Sequence, residues 1–262
     1  MIDTLPWSNY LQRFNHYLAD QIHQHSVDSV LKQAMQYSCL NQGKRLRPLL
    51  CYALAHDFHV DVAQVDAIAA AVELTHCYSL IHDDLPAMDD DDWRRDQPSC
   101  HKKFPEHTAI LAGNALQAMA YATIGHDSYL NHHQKIQAIN ILQSHTGAKG
   151  LLLGQDYDLS CPPEVEQSTI DELKTARLFQ ACVSMTYHAV ETIDNHVLEA
   201  LQRFASAFGQ GFQRQDDAFD AEFNQSPQAS FQQAYQILAS LGFQDQTSHL
   251  YLLTNLTETR LS

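Results

Sequence analysis

Apolar residues recur at three- to four-residue spacing along almost the whole chain, and no segment alternates apolar with polar as a half-buried strand must. That period predicts helices over residues 8–24, 28–41, 46–57, 62–84, 108–125, 133–145, 147–156, 169–190, 195–221, 227–240 and 245–256. Pro48 falls in the first turn of the third, where its missing N–H removes no hydrogen bond. The 62–84 stretch is rich in alanine and larger apolar residues, as a helix buried on most sides would be. With 8 prolines and 9 glycines in 262 residues, a helical bundle is favoured over a β-rich fold. No repeat and no linker interrupts the pattern, so the expectation is one all-α domain over residues 1–262.

Charge narrows the function. There are 31 acidic and 16 basic residues, a formal net charge of −15, which argues against a basic nucleic-acid-binding surface. No run of about 18 apolar residues occurs, so no transmembrane helix is expected. The first residues show no basic stretch followed by an apolar run, so no signal peptide is expected and a cytoplasmic location is. The six cysteines, Cys39, Cys51, Cys77, Cys100, Cys161 and Cys182, contain no CxxC pair and read as buried reduced thiols. His132-His133 lies in a polar stretch and reads as solvated loop.

The acidic residues are concentrated. His82 to Asp92 (HDDLPAMDDDD) places Asp83, Asp84, Asp89, Asp90, Asp91 and Asp92 directly after an apolar helix pattern. Asp83 and Asp89 are six residues apart, about 240° around an unbroken helix. Pro86 disfavours helix at Leu85, so the chain is expected to loop and return Asp89 towards Asp83. Asp90 to Asp92 read as a solvated acidic loop. A second cluster, Asp216, Asp217 and Asp220, puts Asp216 and Asp220 on one helix face. Like charges at that spacing repel, and a hard divalent cation removes the penalty because carboxylate oxygens suit Mg²⁺. Mg²⁺ seldom sits in an all-protein cage and usually bridges carboxylates to substrate phosphates. Two such clusters on separate helices therefore suggest a diphosphate held through several metal ions.

The scarce cations are local too. Gly43–Pro48 (GKRLRP) puts Lys44, Arg45 and Arg47 at a helix start, where anions are favoured and arginine adds bidentate reach to phosphate oxygens. Arg94-Arg95 follows the first acidic run directly.

Taken together these segments resemble the trans-prenyl diphosphate synthase family, and among its members the bacterial farnesyl diphosphate synthases. The matching pieces are GKRLRP, His76–Arg95 (HCYSLIHDDLPAMDDDDWRR), Cys100–Phe104 (CHKKF), Ala109–Leu116 (AILAGNAL), Gly154–Leu159 (GQDYDL), Lys174-Thr175 and Gly211–Asp220 (GFQRQDDAFD). They occur in the family's order over about residues 36–220.

The resemblance implies a helical bundle of the isoprenoid synthase type around a central cavity. It implies Mg²⁺-dependent, head-to-tail condensation of isopentenyl diphosphate with an allylic diphosphate. Three Mg²⁺ would be held by Asp83, Asp89 and Asp216, with Asp84, Asp217 and Asp220 as further ligands or supports. They would neutralise the leaving diphosphate as an allylic cation forms. Matching positions assign Lys44, Arg47, His76 and Arg95 to isopentenyl diphosphate, Arg94 and Lys174 to the allylic diphosphate, and Thr175 and Gln213 to the cation region. Tyr78, five residues before Asp83, would floor the tail pocket and favour a short, C15 product. A homodimer is implied as well, and the apolar 108–125 helix could serve its interface or the core.

The chain departs from the pattern after Asp220, and the part beyond it is short for the family. The family normally has two lysines there, each in a Gly-Lys context. Here Asp220 is followed by AEFNQSPQASFQQAYQ, and no lysine occurs after Lys174. Arg214 stands where the family usually has an apolar residue and is a possible partial substitute. Two lost charge-assisted contacts would cost several kcal/mol at about 1.5–3 kcal/mol each. The alternative to an active synthase is therefore a degenerate paralogue that binds prenyl diphosphate and Mg²⁺ but turns over weakly. A metal phosphohydrolase prompted by His82-Asp83 leaves GKRLRP and the second cluster unexplained. A terpene cyclase leaves GKRLRP unexplained.

Overall fold

The structure, a computed structural model, describes residues 6–41, 43–189, 193–219 and 227–259, with residues 216–219 as backbone. In chain order its helices are α1 (Trp7–Gln24), α2 (Val30–Cys39), α3 (Leu46–Asp57), α4 (Asp66–Asp83), α5 (Cys100–Lys103), α6 (Glu106–His126) and α7 (His132–Thr146), followed by α8 (Leu151–Ser160), α9 (Gln167–Asp171), α10 (Arg177–Tyr187), α11 (Asn195–Phe219), α12 (Gln228–Ser240) and α13 (His249–Glu258). The all-α expectation holds. Among the described residues the exceptions are a short 3₁₀ turn over Val62–Gln64, a π-helical turn over Glu172–Ala176 and a hairpin of two-residue strands, β1 (Trp93–Arg94) with β2 (Gln97–Pro98). The long helix expected over 62–84 is thus shortened. Asp61 caps the 3₁₀ turn through Ala63 N–H, and α4 starts afresh at Asp66.

The chain divides into two compact units. The first comprises Ile2–Pro48 and Asp66–Ser128. Within it α4 and α6 form the most extensive helix pair. Ala67, Ala69, Ala70 and Ala71 leave α4 thin enough to be buried nearly all round. Trp7, Phe14, Leu18 and Ile22 share one face of α1 and are buried, each adding about 2 kcal/mol from water exclusion. Arg13 ties α1 to the start of α4, its Nε donating to Asp66 Oδ1 at 2.8 Å and its Nη2 to Oδ2 at 2.5 Å.

The second unit comprises Leu49–Val65 and Tyr129–Ser262. Its core joins α10, α11 and α12 through aromatic edges. Phe179 meets Phe208 at 5.3 Å and 78°, and Phe208 meets Phe231 at 6.3 Å and 81°. Asp57, the last residue of α3, caps α13: it accepts from Ser248 Oγ at 2.7 Å, His249 N at 2.8 Å and Leu250 N at 3.0 Å. The rings of His56 and His249 stack beside that cap, 3.4 Å apart and 11° from parallel.

Two sequence expectations are corrected here. His132-His133 is not loop but the first turn of α7, because Asn131 and Gln134 form a reciprocal capping box just ahead of it. Cys161 is exposed, since it ends α8 in a left-handed conformation (φ 46°); the other five cysteines are buried. No helix among the described residues is long and apolar enough to cross a membrane.

Candidate active site

The first acidic motif folds back as Pro86 required. Helix α4 ends at Asp83, and the turn is closed by Leu85 N to His82 O (3.2 Å) and Met88 N to Leu85 O (2.9 Å). Asp89 N then donates to Asp83 O at 2.9 Å, so the backbones of Asp83 and Asp89 meet at one helix end. His82 pins that end from the side, with Nε2 at 3.2 Å from the Ile110 carbonyl of α6. Asp90, Asp91 and Asp92 are exposed, as a solvated loop should be. Oxygens of Asp90 and Asp92 nevertheless converge with a His101 nitrogen to within 4.8 Å, while Asp92 pairs with Lys102 at 2.7 Å.

Asp84 is used differently from its neighbour Asp83. It is 2% exposed and receives Arg94 Nε at 2.9 Å and Arg94 Nη2 at 2.5 Å. Burial pushes its carboxyl pKa up, against the pull of the guanidinium. Arg94 Nη2 also donates to Asp91 Oδ2 at 2.8 Å. Arg94 therefore carries two anionic partners, and Asp84 holds it rather than standing open.

Of the three cations in GKRLRP, Arg45 is withdrawn from any ligand. It is buried with φ 50°, donates to Glu73 Oε1 at 2.5 Å, and its Nη2 reaches the carbonyls of Cys39 (2.6 Å) and Asn41 (2.9 Å). Burial opposes its charge, but Glu73, together with Cys77 and Cys39, outweighs burial, so its pKa is raised. Lys44 is exposed, and Arg47 is half-buried in the first turn of α3. Arg95 Nη1 donates to Asn41 Oδ1 at 2.8 Å, and Nη2 lies 3.4 Å from His76 Nε2. Burial, then Arg47, Arg95, Arg45 and Arg94 in turn, lower the His76 pKa well below its usual range, so this imidazole is neutral. Tyr78 is buried one turn earlier than His82 on α4, its ring edge-on to that imidazole at 5.9 Å and 69°. Burial raises its hydroxyl pKa to about 12, with Tyr121 adding to the shift.

The second group of predicted residues lies in the other unit. Lys174 and Thr175 sit in a π-helical turn, Glu172–Ala176, inserted between α9 and α10. One extra residue per turn re-aims the side chains that follow, a device common at functional sites. Thr175 Oγ1 donates to Gln213 Oε1 of α11 at 2.8 Å, and the Lys174 ammonium pairs with Asp158 of α8. Gly154 lets α8 approach this turn: a Cβ there would stand 2.7 Å from Lys174 N. Arg214 donates to Ser230 Oγ of α12 at 2.9 Å, a neutral partner that leaves its charge uncancelled. Asp216 and Asp217 lie in the last turns of α11, and their side chains, like Asp220 altogether, lie outside the described residues.

Sequence spacing did not single out Asn41, Glu73 or Asp158. Their partners are 54, 28 and 16 residues away in the chain, separations at which no local periodicity operates.

Aspartates gathered at a helix end beside an arginine hairpin, in an all-helical fold, define a class of proteins built to hold phosphate groups through cations. A family model, polyprenyl synthetase, matches residues 28–241. Farnesyl diphosphate synthase of Buchnera aphidicola subsp. Schizaphis graminum is 42% identical over 201 residues, covering 74% of this chain and 68% of that protein. The Haemophilus influenzae farnesyl diphosphate synthase is 40% identical over 218 residues, covering 80% and 73%. Among solved structures, a geranyltransferase from Legionella pneumophila superposes with a TM-score of 0.88 at 34% identity, covering 97% of this chain and 95% of that one. The chain belongs to the polyprenyl synthetase family.

Proposed function

We propose that the protein condenses isopentenyl diphosphate head to tail with dimethylallyl or geranyl diphosphate, giving a short prenyl diphosphate, with farnesyl diphosphate as the expected product. The observation that carries this reading is the return of Asp89 onto Asp83 beside the Arg94–Arg95 hairpin. Similarity to farnesyl diphosphate synthases at 40% and 42% identity supports it. No described residue favours the reading of a paralogue that binds without turnover.

The donor set of the first motif fits Mg²⁺, since Asp83 and Asp89 offer hard oxygen ligands at one helix end. With Asp216, and Asp217 and Asp220 beside it, three ions would be held, the number the family pattern implies. Bound there, Mg²⁺ supplies Lewis-acid neutralisation of the leaving diphosphate.

The side chains of this chain do the rest. Lys44, Arg47, His76 and Arg95 bind isopentenyl diphosphate. Because His76 is neutral, its Nε2 can accept from Arg95 and orient it. Arg94, oriented by Asp84, and Lys174, oriented by Asp158, bind the allylic diphosphate. The Thr175 and Gln213 oxygens face the developing cation, and their mutual hydrogen bond fixes where those dipoles lie. Tyr78 limits the growing tail. Exposed Ile110 and Leu111 on α6, 38% and 52% accessible, support a homodimer, and a cytoplasmic location fits the reading.

The test is incubation with Mg²⁺, isopentenyl diphosphate and each allylic diphosphate, followed by chain-length analysis. A C15 product is expected, and no condensation would overturn the reading. Tyr78→Ala should lengthen the product; an unchanged C15 product would remove Tyr78 as the floor.

A further inference from the structure

We infer that Asn41 is a positioning residue that acts through Arg95 on the isopentenyl diphosphate diphosphate group. The inference rests on the function proposed above. Arg95 and Asp96 occupy the two central positions of the β1–β2 hairpin, with φ of 54° and 60°. Such turns usually carry Asn, Asp or Gly, so arginine in the left-handed region at the first central position is strained unless the surroundings hold it. Here the surroundings do. The Arg95 guanidinium leaves the hairpin and docks on Asn41, with Nη1 donating to Asn41 Oδ1 at 2.8 Å. Gly43 is what allows the approach: a Cβ at that position would stand 2.6 Å from Arg95 Nη1.

Asn41 is itself anchored. Its carbonyl accepts from Arg45 Nη2 at 2.9 Å, and Arg45 is fixed by Glu73 at 2.5 Å and by the Cys39 carbonyl at 2.6 Å. A line of contacts therefore runs from the buried Glu73 through Arg45 and Asn41 to Arg95. The chemistry of the last contact matters. Arg94 is bonded to two carboxylates, whereas the hydrogen-bond partners of Arg95 among the described residues are an amide oxygen and a neutral imidazole. An amide orients the guanidinium without cancelling its charge, which leaves that charge for an incoming anion.

The experiment combines a KM-against-kcat split with a double-mutant cycle. Asn41→Ala and the near-isosteric Asn41→Leu remove the acceptor while the backbone contact to Arg45 remains. Each should raise KM for isopentenyl diphosphate about tenfold, a 1.4 kcal/mol effect, with kcat and the allylic KM changed less than about twofold. In an Arg95→Ala background the same substitutions should add nothing. Calorimetric titration of isopentenyl diphosphate reads the same loss without turnover. An unchanged KM and Kd in either variant, a rise equal for both substrates, or effects that add to Arg95→Ala would overturn the inference. A wild-type protein that binds isopentenyl diphosphate through Asn41 but condenses nothing would overturn the proposed reaction and leave the inference standing.

Discussion

The region around the first acidic motif and the region around the π-helical turn are held in place by different forces. In the first, opposite charges fix one another: Arg45 on Glu73, and Arg94 on Asp84 and Asp91. In the second, the ion pairs Lys174 with Asp158 and Arg177 with Glu172 accompany a neutral Thr175–Gln213 bond and a backbone irregularity that sets the side-chain directions. The first region gives its arginines two grades of partner. Arg45 is neutralised outright and becomes structural, while Arg95 meets neutral groups and keeps its charge.

The largest test of this contrast is removal of a carboxylate proposed to bind metal. Asp83→Ala should lower the condensation rate at least about 10²-fold, and chelation of Mg²⁺ should do the same in wild type. A mild effect would mean that the first region is scaffold rather than machinery.

Breaking the buried pair comes next. Glu73→Ala strands Arg45 at 5% exposure and should cost about 3–5 kcal/mol, read from the denaturant midpoint. A loss below about 1 kcal/mol would remove charge pairing as what holds the first region.

Acidification addresses both regions. His76 in the first, and His145 and His249 in the unit that carries the π-helical turn, all have pKa values lowered by burial. The unfolded chain binds their protons more readily, so stability is full above an ordinary histidine pKa of about 6.5 and falls as pH drops below it. Thermal unfolding from pH 8 to 5 should show that decline, and stability rising towards pH 5 would contradict the three assignments. NMR titration assigns each histidine to its region.

The smallest expected effect is Thr175→Val, which removes the Thr175 hydroxyl donor from Gln213 Oε1. About 1 kcal/mol of stability should go, with a larger proportional loss in kcat. An unchanged kcat would reduce the π-helical turn to packing.

Much of this was legible in the chain itself. The helical period located most helices because burial of one face imposes it, and Pro86 foretold the fold-back of Asp89 because it cannot continue α4. Boundaries went wrong where capping chemistry overrode polarity, as when Asn131 and Gln134 drew His132-His133 into α7. GKRLRP read as three anion-binding cations. The tertiary structure left Lys44 exposed and Arg47 half-buried, and turned Arg45 inward onto Glu73, 28 residues away.

By itself the sequence determined the fold class, the two acidic clusters and the order of the motifs, since these depend on interactions within a few residues. Which arginine is neutralised, which keeps its charge, and that an asparagine orients it were decided only by tertiary structure. Electrostatic partners are chosen by distance in space, and a line of sequence does not carry that distance.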